Sequence, residues 1–163
     1  MLLEQLDSEQ IAIYWKVLYA MLMGAVIGLD REKAKKPAGL RTYIFVSGSA
    51  TLLVSLGNAL IHYFNLNMAT GIIRTDPVRI IEAIITGISF IAAGTIIRNR
   101  DEQVKGLTTA ASLLLAAAVG IAVAVEQYLL SFMITITAYV ILRFFWLAEQ
   151  KFFKNSQSDS LKY

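Results

Sequence analysis

Five long apolar stretches divide the sequence: Ile11 to Leu29, Tyr43 to Phe64, Ile80 to Ile97, Thr108 to Val125 and Tyr128 to Leu147. Each is close to the roughly 17 to 25 residues that a helix needs to cross a bilayer, and the polar segments between them are short. The pattern predicts an all-α polytopic membrane protein, a bundle of about five transmembrane helices over residues 1–150 with a short cytoplasmic tail over 151–163. The tail, KFFKNSQSDSLKY, loses apolar periodicity and is expected to fray. Between the fourth and fifth stretches only Glu126 and Gln127 intervene, with no glycine or proline. One continuous helix there would be about 60 Å long, twice the hydrocarbon thickness, so the chain must turn.

Composition agrees: 56% of residues are hydrophobic, against roughly 45 to 50% in a soluble domain. Absence of cysteine excludes disulfides, thiolate metal sites and cysteine nucleophiles. The leader MLLEQLDSEQ is acidic, carries no cation and precedes no cleavage pattern, so the first stretch is expected to stay in the mature protein.

Charge placement predicts orientation. Arg31, Lys33, Lys35, Lys36 and Arg41 follow the first stretch, Arg98, Arg100 and Lys105 follow the third, and Arg143, Lys151, Lys154 and Lys162 belong to the fifth and the tail. Only Lys16, Arg74 and Arg79 lie on the other side. Cytoplasmic loops are enriched in Lys and Arg, which places the amino terminus outside and the carboxyl terminus in the cytoplasm. These short basic loops lack interleaved aromatics and do not point to nucleic acid. Lys16 can snorkel to the outer surface along its own stem.

Helix association within a bilayer depends on close contact between small residues. Gly24 and Gly28, Gly87 and Gly94, and Gly120 are the expected packing positions. The fourth stretch is rich in alanine and should occupy the bundle centre. The fifth, with Phe132, Met133, Phe144 and Phe145, should face lipid or a second copy, and a homodimer is expected.

Two polar constellations flank the apolar stretches. In DPVRIIEAIITG, Asp76 and Pro77 suit the start of a helix, while Arg79 and Glu82 are spaced to pair on its surface. Asp76, Arg79 and Glu82 could equally form an outward-facing cation or proton site. Asp30, Arg31, Glu32, Arg41, Thr108 and Thr109 form a cytoplasmic group, read either as salt bridges fixing helix ends or as a docking surface. Thr108 or Thr109 should cap the fourth helix, Gly106 allows a tight approach, and Pro37 to Gly39 should turn the first two helices together. No catalytic arrangement, metal-ligand spacing or cofactor motif is present, and the single histidine, His62, fits an interfacial belt.

The runs MGAVIGLDREKAKKPAGLRTYIFVSGSATLLVSLG (23 to 57), DPVRIIEAIITGISFIAAGTIIR (76 to 98) and VKGLTTAASLLLAAAVGIAVA (104 to 124) resemble the MgtC/SapB family of bacterial inner-membrane proteins. The matching elements are the acidic-Arg-Glu triplet Asp30, Arg31 and Glu32, PAGLRT at Pro37 to Thr42, DPxR at Asp76 to Arg79 and GLTTAA at Gly106 to Ala111. Asp30 stands where glutamate is usual, Ser89 and Ala93 replace glycines, Leu114 replaces a common tryptophan, and Glu82 is unusual. The resemblance implies a multi-pass protein of the bacterial inner membrane needed for growth in low magnesium and, in pathogens, for survival in host cells. It implies action on other membrane machinery, such as ATP synthase or a transporter, rather than catalysis or a resident cofactor, with any link to Mg2+ left open. It covers the membrane domain only: the virulence members continue into a soluble carboxyl-terminal domain beyond the point corresponding to Tyr163.

Overall fold

The computed structural model describes the backbone of residues 2–67, 76–98 and 104–160, and side chains within 8–63, 76–96 and 104–145. Arg74, Arg100 and the side chains of Arg98, Lys151, Lys154 and Lys162, part of the charge pattern above, lie outside the described residues. The helices are α1 (Leu2–Lys33), α2 (Leu40–Asn67), α3 (Pro77–Ala93), α4 (Leu107–Ala124) and α5 (Tyr128–Ser160). Two two-residue strands, β1 (Ile97–Arg98) and β2 (Val104–Lys105), pair antiparallel between α3 and α4.

Among the described residues four helices are long and apolar enough to cross a membrane: Ser8–Lys33, Leu40–Tyr63, Leu107–Ala124 and Tyr128–Phe145. The third stretch behaves differently from its hydropathy. α3 has 17 residues, about 25 Å at 1.5 Å per residue, at the short limit for a crossing. Its apolar run continues to Ile97, but the helix ends at Ala93 and Ile97 joins the β1–β2 ladder instead. α5 departs in the opposite sense, remaining helical to Ser160 through the segment expected to fray.

The reversals after α1 and after α4 use the same device. After α4, the Glu126 N–H donates to the Val123 carbonyl and the Gln127 N–H to the Ala122 carbonyl, with Glu126 left-handed at φ 65°. After α1, Lys35 donates to Glu32 and Lys36 to Arg31, with Lys35 at φ 51°. These paired bonds close the last helical turn and reverse the chain, a role usually given to glycine. The first reversal therefore sits at Lys35, just before Pro37 to Gly39. Gly39 then accepts from the Thr42 and Tyr43 N–H groups to open α2.

α4 packs against all four other helices, and half of its residues are buried, against 22% of the spanning window of α5. α1 lies along α2, α3 packs on α4 and α2, and α5 closes against α1 and α4. The core is a column of Ile27, Tyr43, Leu113, Ala116, Ala117 and Val123. The outer surface of α5 exposes Leu129, Phe132, Met133, Phe144 and Phe145, as a lipid-facing helix should.

Candidate functional site

Asp30 and Arg31 end α1 and are 3% and 4% exposed. As neighbours on a helix they point in different directions, one toward each helix that overlaps the end of α1. Arg31 Nη2 donates to Thr109 Oγ1 at 2.9 Å, while Asp30 Oδ1 stands 3.9 Å from Arg143 Nη1 on α5. Tyr43, fully buried, shares a 2.6 Å hydrogen bond with Ser112 and donates to the Thr109 carbonyl at 3.4 Å. These residues tie α1, α2, α4 and α5 together at the end that the charge pattern assigns to the cytoplasm.

This corrects the docking-surface reading for half of the group. Asp30, Arg31 and Thr109 are enclosed by this chain, whereas Glu32, Arg41 and Thr108 remain exposed. Glu32 is also employed structurally, its Oε2 accepting the Leu40 N–H at the start of α2. Neither threonine caps α4. Gly106 occupies that position at φ 98°, where a Cβ would collide with the Thr95 carbonyl, and Thr109 is free to receive Arg31.

At the opposite end, Asp76 Oδ1 accepts the Val78 N–H at 3.0 Å and Pro77 follows, opening α3. Arg79 and Glu82 are both exposed and, among the described residues, their side chains form neither the expected pair nor another polar contact. They diverge: Asp76 and Arg79 line a groove between α2 and α3, and Glu82 lies outside it. Lys16 does more than snorkel. Its ammonium donates to Glu126 Oε1 at 2.8 Å, holding that carboxyl below the usual range, and the Tyr19 hydroxyl donates beside it to the Tyr128 carbonyl.

The glycines divide similarly. A Cβ at Gly24 would stand 2.5 Å from the Tyr43 carbonyl oxygen, one at Gly28 would stand 2.9 Å from Leu40 Cα, and one at Gly120 would collide with the Ser47 carbonyl. Gly87 meets nothing within 4 Å and Gly94 only its own helix, so neither packs against another helix. Of the hydroxyls that could line a pathway, Ser47 donates to the Ala20 carbonyl, Ser49 to the Phe45 carbonyl and Thr95 to the Ala92 carbonyl, and Ser112 pairs with Tyr43, whereas Ser89 is exposed and the buried Ser55 hydroxyl has no partner among the described residues. Thr51, which the sequence did not single out, bonds the Gly120 carbonyl at 2.7 Å and fastens α2 to α4. Among the described residues no cluster of three or more histidines and carboxylates could hold a metal ion.

The MgtC family pattern matches residues 17–151. The chain belongs to the MgtC family. This MgtC-family chain is 38% identical over 120 residues to Protein SapB of Bacillus subtilis (strain 168), covering 71% of the chain and 49% of SapB. It is 35% identical over 131 residues to Protein MgtC of Salmonella typhimurium (strain LT2), covering 78% of the chain and 51% of that protein. It is 32% identical over 130 residues to YhiD of Escherichia coli (strain K12), a proposed magnesium transporter, covering 79% of the chain and 58% of YhiD. The chain thus spans about half the length of SapB and MgtC. No solved structure matches it. Family membership and the four spanning helices make it a multi-pass protein of the bacterial inner membrane.

The sequence reading placed Arg143 among the cytoplasmic cations but did not join Tyr43, Ser112 and Arg143 to the Asp30–Arg31 group. The available signal was a tyrosine opening an apolar stretch, since a buried phenol needs a hydrogen-bond partner.

Proposed function

We propose that this chain is a non-enzymatic membrane protein that adjusts magnesium or energy homeostasis by contacting other membrane machinery, ATP synthase or a transporter. The observation that carries this reading is the internal use of most polar groups at membrane depth: Ser47, Ser49, Thr95 and Ser112 are each hydrogen-bonded within the bundle, which leaves the buried Ser55 hydroxyl without a partner among the described residues and Ser89 exposed. Ion pathways need polar lining at membrane depth. By contrast, broad surfaces of α5 and the exposed Phe45 and Phe90 face outward, where a partner or a second copy would meet them. The names and family of its relatives support the magnesium link.

A small cation or proton transporter is the second reading, favoured by the exposed charges of Asp76, Arg79 and Glu82 at the groove end of α3. Flux into liposomes containing the purified protein separates the two. The regulatory reading expects no proton or magnesium flux, together with a specific crosslinked membrane partner in cells. Flux that disappears in Asp76→Asn and Glu82→Gln would replace it with transport.

A further inference from the structure

The groove between α2 and α3 has a volume of 1220 Å³ and, among the described residues, charged side chains at one end only. Leu53 on α2 and Ile80, Ile84, Gly87 and Ile88 on α3 supply its apolar wall. Near the charged end the helices touch where Gly57 admits Ile80, and deeper along α3 the space beside Gly87 stays open. The hydroxyl within the groove, Ser49, donates to the Phe45 carbonyl of its own helix.

We propose that this groove holds one acyl chain of a phospholipid whose headgroup is zwitterionic and carries a primary amine. From Arg79 to Ile91, α3 rises about 18 Å at 1.5 Å per residue. One leaflet of a bilayer contains about 15 Å of hydrocarbon, so the apolar wall matches the depth of a single acyl chain. At its mouth Asp76 and Arg79 lie three residues apart on the same lined face. The Arg79 guanidinium suits a phosphate. Asp76 uses Oδ1 for the helix cap, leaving its other oxygen for an ammonium. A headgroup with only negative charge could pair with Arg79 but would leave Asp76 facing a like charge, and a quaternary amine has no N–H to donate.

The test uses the full chain purified from membranes and exchanged into nanodiscs. These contain phosphatidylethanolamine, phosphatidylglycerol and phosphatidylcholine with identical acyl chains, and retained lipid is counted by native mass spectrometry. Phosphatidylethanolamine should be retained about tenfold over the others, equivalent to one charge-assisted hydrogen bond. Asp76→Asn keeps the cap, because asparagine caps as well as aspartate, and should abolish that preference. Gly87→Leu enters open space, should fold normally by circular dichroism, and should release all three lipids. Equal retention of the three lipids by the unaltered chain, or an undiminished preference in Asp76→Asn, would overturn the proposal. So would disulfide pairing of Gly87→Cys between copies in native membranes, which would put a second chain in the groove. The absence of cysteine from the natural sequence makes that last readout clean. No partner protein is present in the assay, so this proposal stands or fails separately from the regulatory one.

Discussion

At the residue scale, the protein tolerates buried charge where it can divide that charge among several helices. Arg31 relies on Thr109, and removing the hydroxyl leaves a guanidinium nitrogen unpaired in a site with almost no water access. Thr109→Val preserves shape and should lower unfolding stability in detergent by about 1.5 to 3 kcal/mol, measured by chemical denaturation. At the other end Glu126 supplies a pH dependence. Its carboxyl titrates below the ordinary 4.5 because Lys16 donates to it and lies close in charge. A lowered folded value means that the contribution is complete above the unfolded value and fades as pH falls through the folded one. The melting temperatures of the natural chain and Glu126→Gln should therefore differ at pH 7 and draw together as pH falls below 4.5.

At the element scale, helix contacts are decided by where a Cβ can go. Gly120→Ala would press against the Ser47 backbone carbonyl, which cannot rotate aside, and should destabilise the α2–α4 contact by more than about 2 kcal/mol. Gly87→Ala meets open space and should stabilise α3 by up to about 1 kcal/mol through helix propensity. Parallel thermal melts of the two variants check both signs. The reversal after α1 offers a gain as well: Lys35→Gly relieves a left-handed side-chain conformation and should raise stability by about 0.5 to 1 kcal/mol.

Helices were largely legible in the sequence because their apolar lengths are set by the bilayer, and the Asp76-Pro77 start followed from local chemistry alone. The limits of α3 and α5 were not. Hydropathy measures preference for lipid, whereas α3 ends where the chain turns into the β1–β2 ladder. Glycine spacing likewise could not distinguish Gly120, held against α2, from Gly87, which borders open space. The burial of Asp30 and Arg31 was illegible for a related reason: their partners, Thr109 and Arg143, are remote in sequence and meet them only once α4 and α5 have packed.

At the scale of the whole molecule, the bundle has a fixed centre in α4 and fastenings at both ends. Asp30, Arg31, Tyr43, Thr109, Ser112 and Arg143 gather at one end, and Lys16, Tyr19, Glu126 and Tyr128 at the other. Such a frame leaves the outer faces of α3 and α5 as the surfaces that can vary in occupant without disturbing the interior.

The Lys16–Glu126 bridge also bears on how the protein is made. Its two members are separated by 110 positions, and synthesis proceeds from the amino terminus. Lys16 thus enters the membrane long before its counter-charge exists, and α1 is secured at that end only when the final hairpin arrives. In a nascent chain arrested before residue 126, Lys16 should be modified by a membrane-impermeant amine reagent faster than in the finished chain, where Glu126 holds its ammonium. The bridge then serves as a closing latch, engaging last and marking a completed assembly.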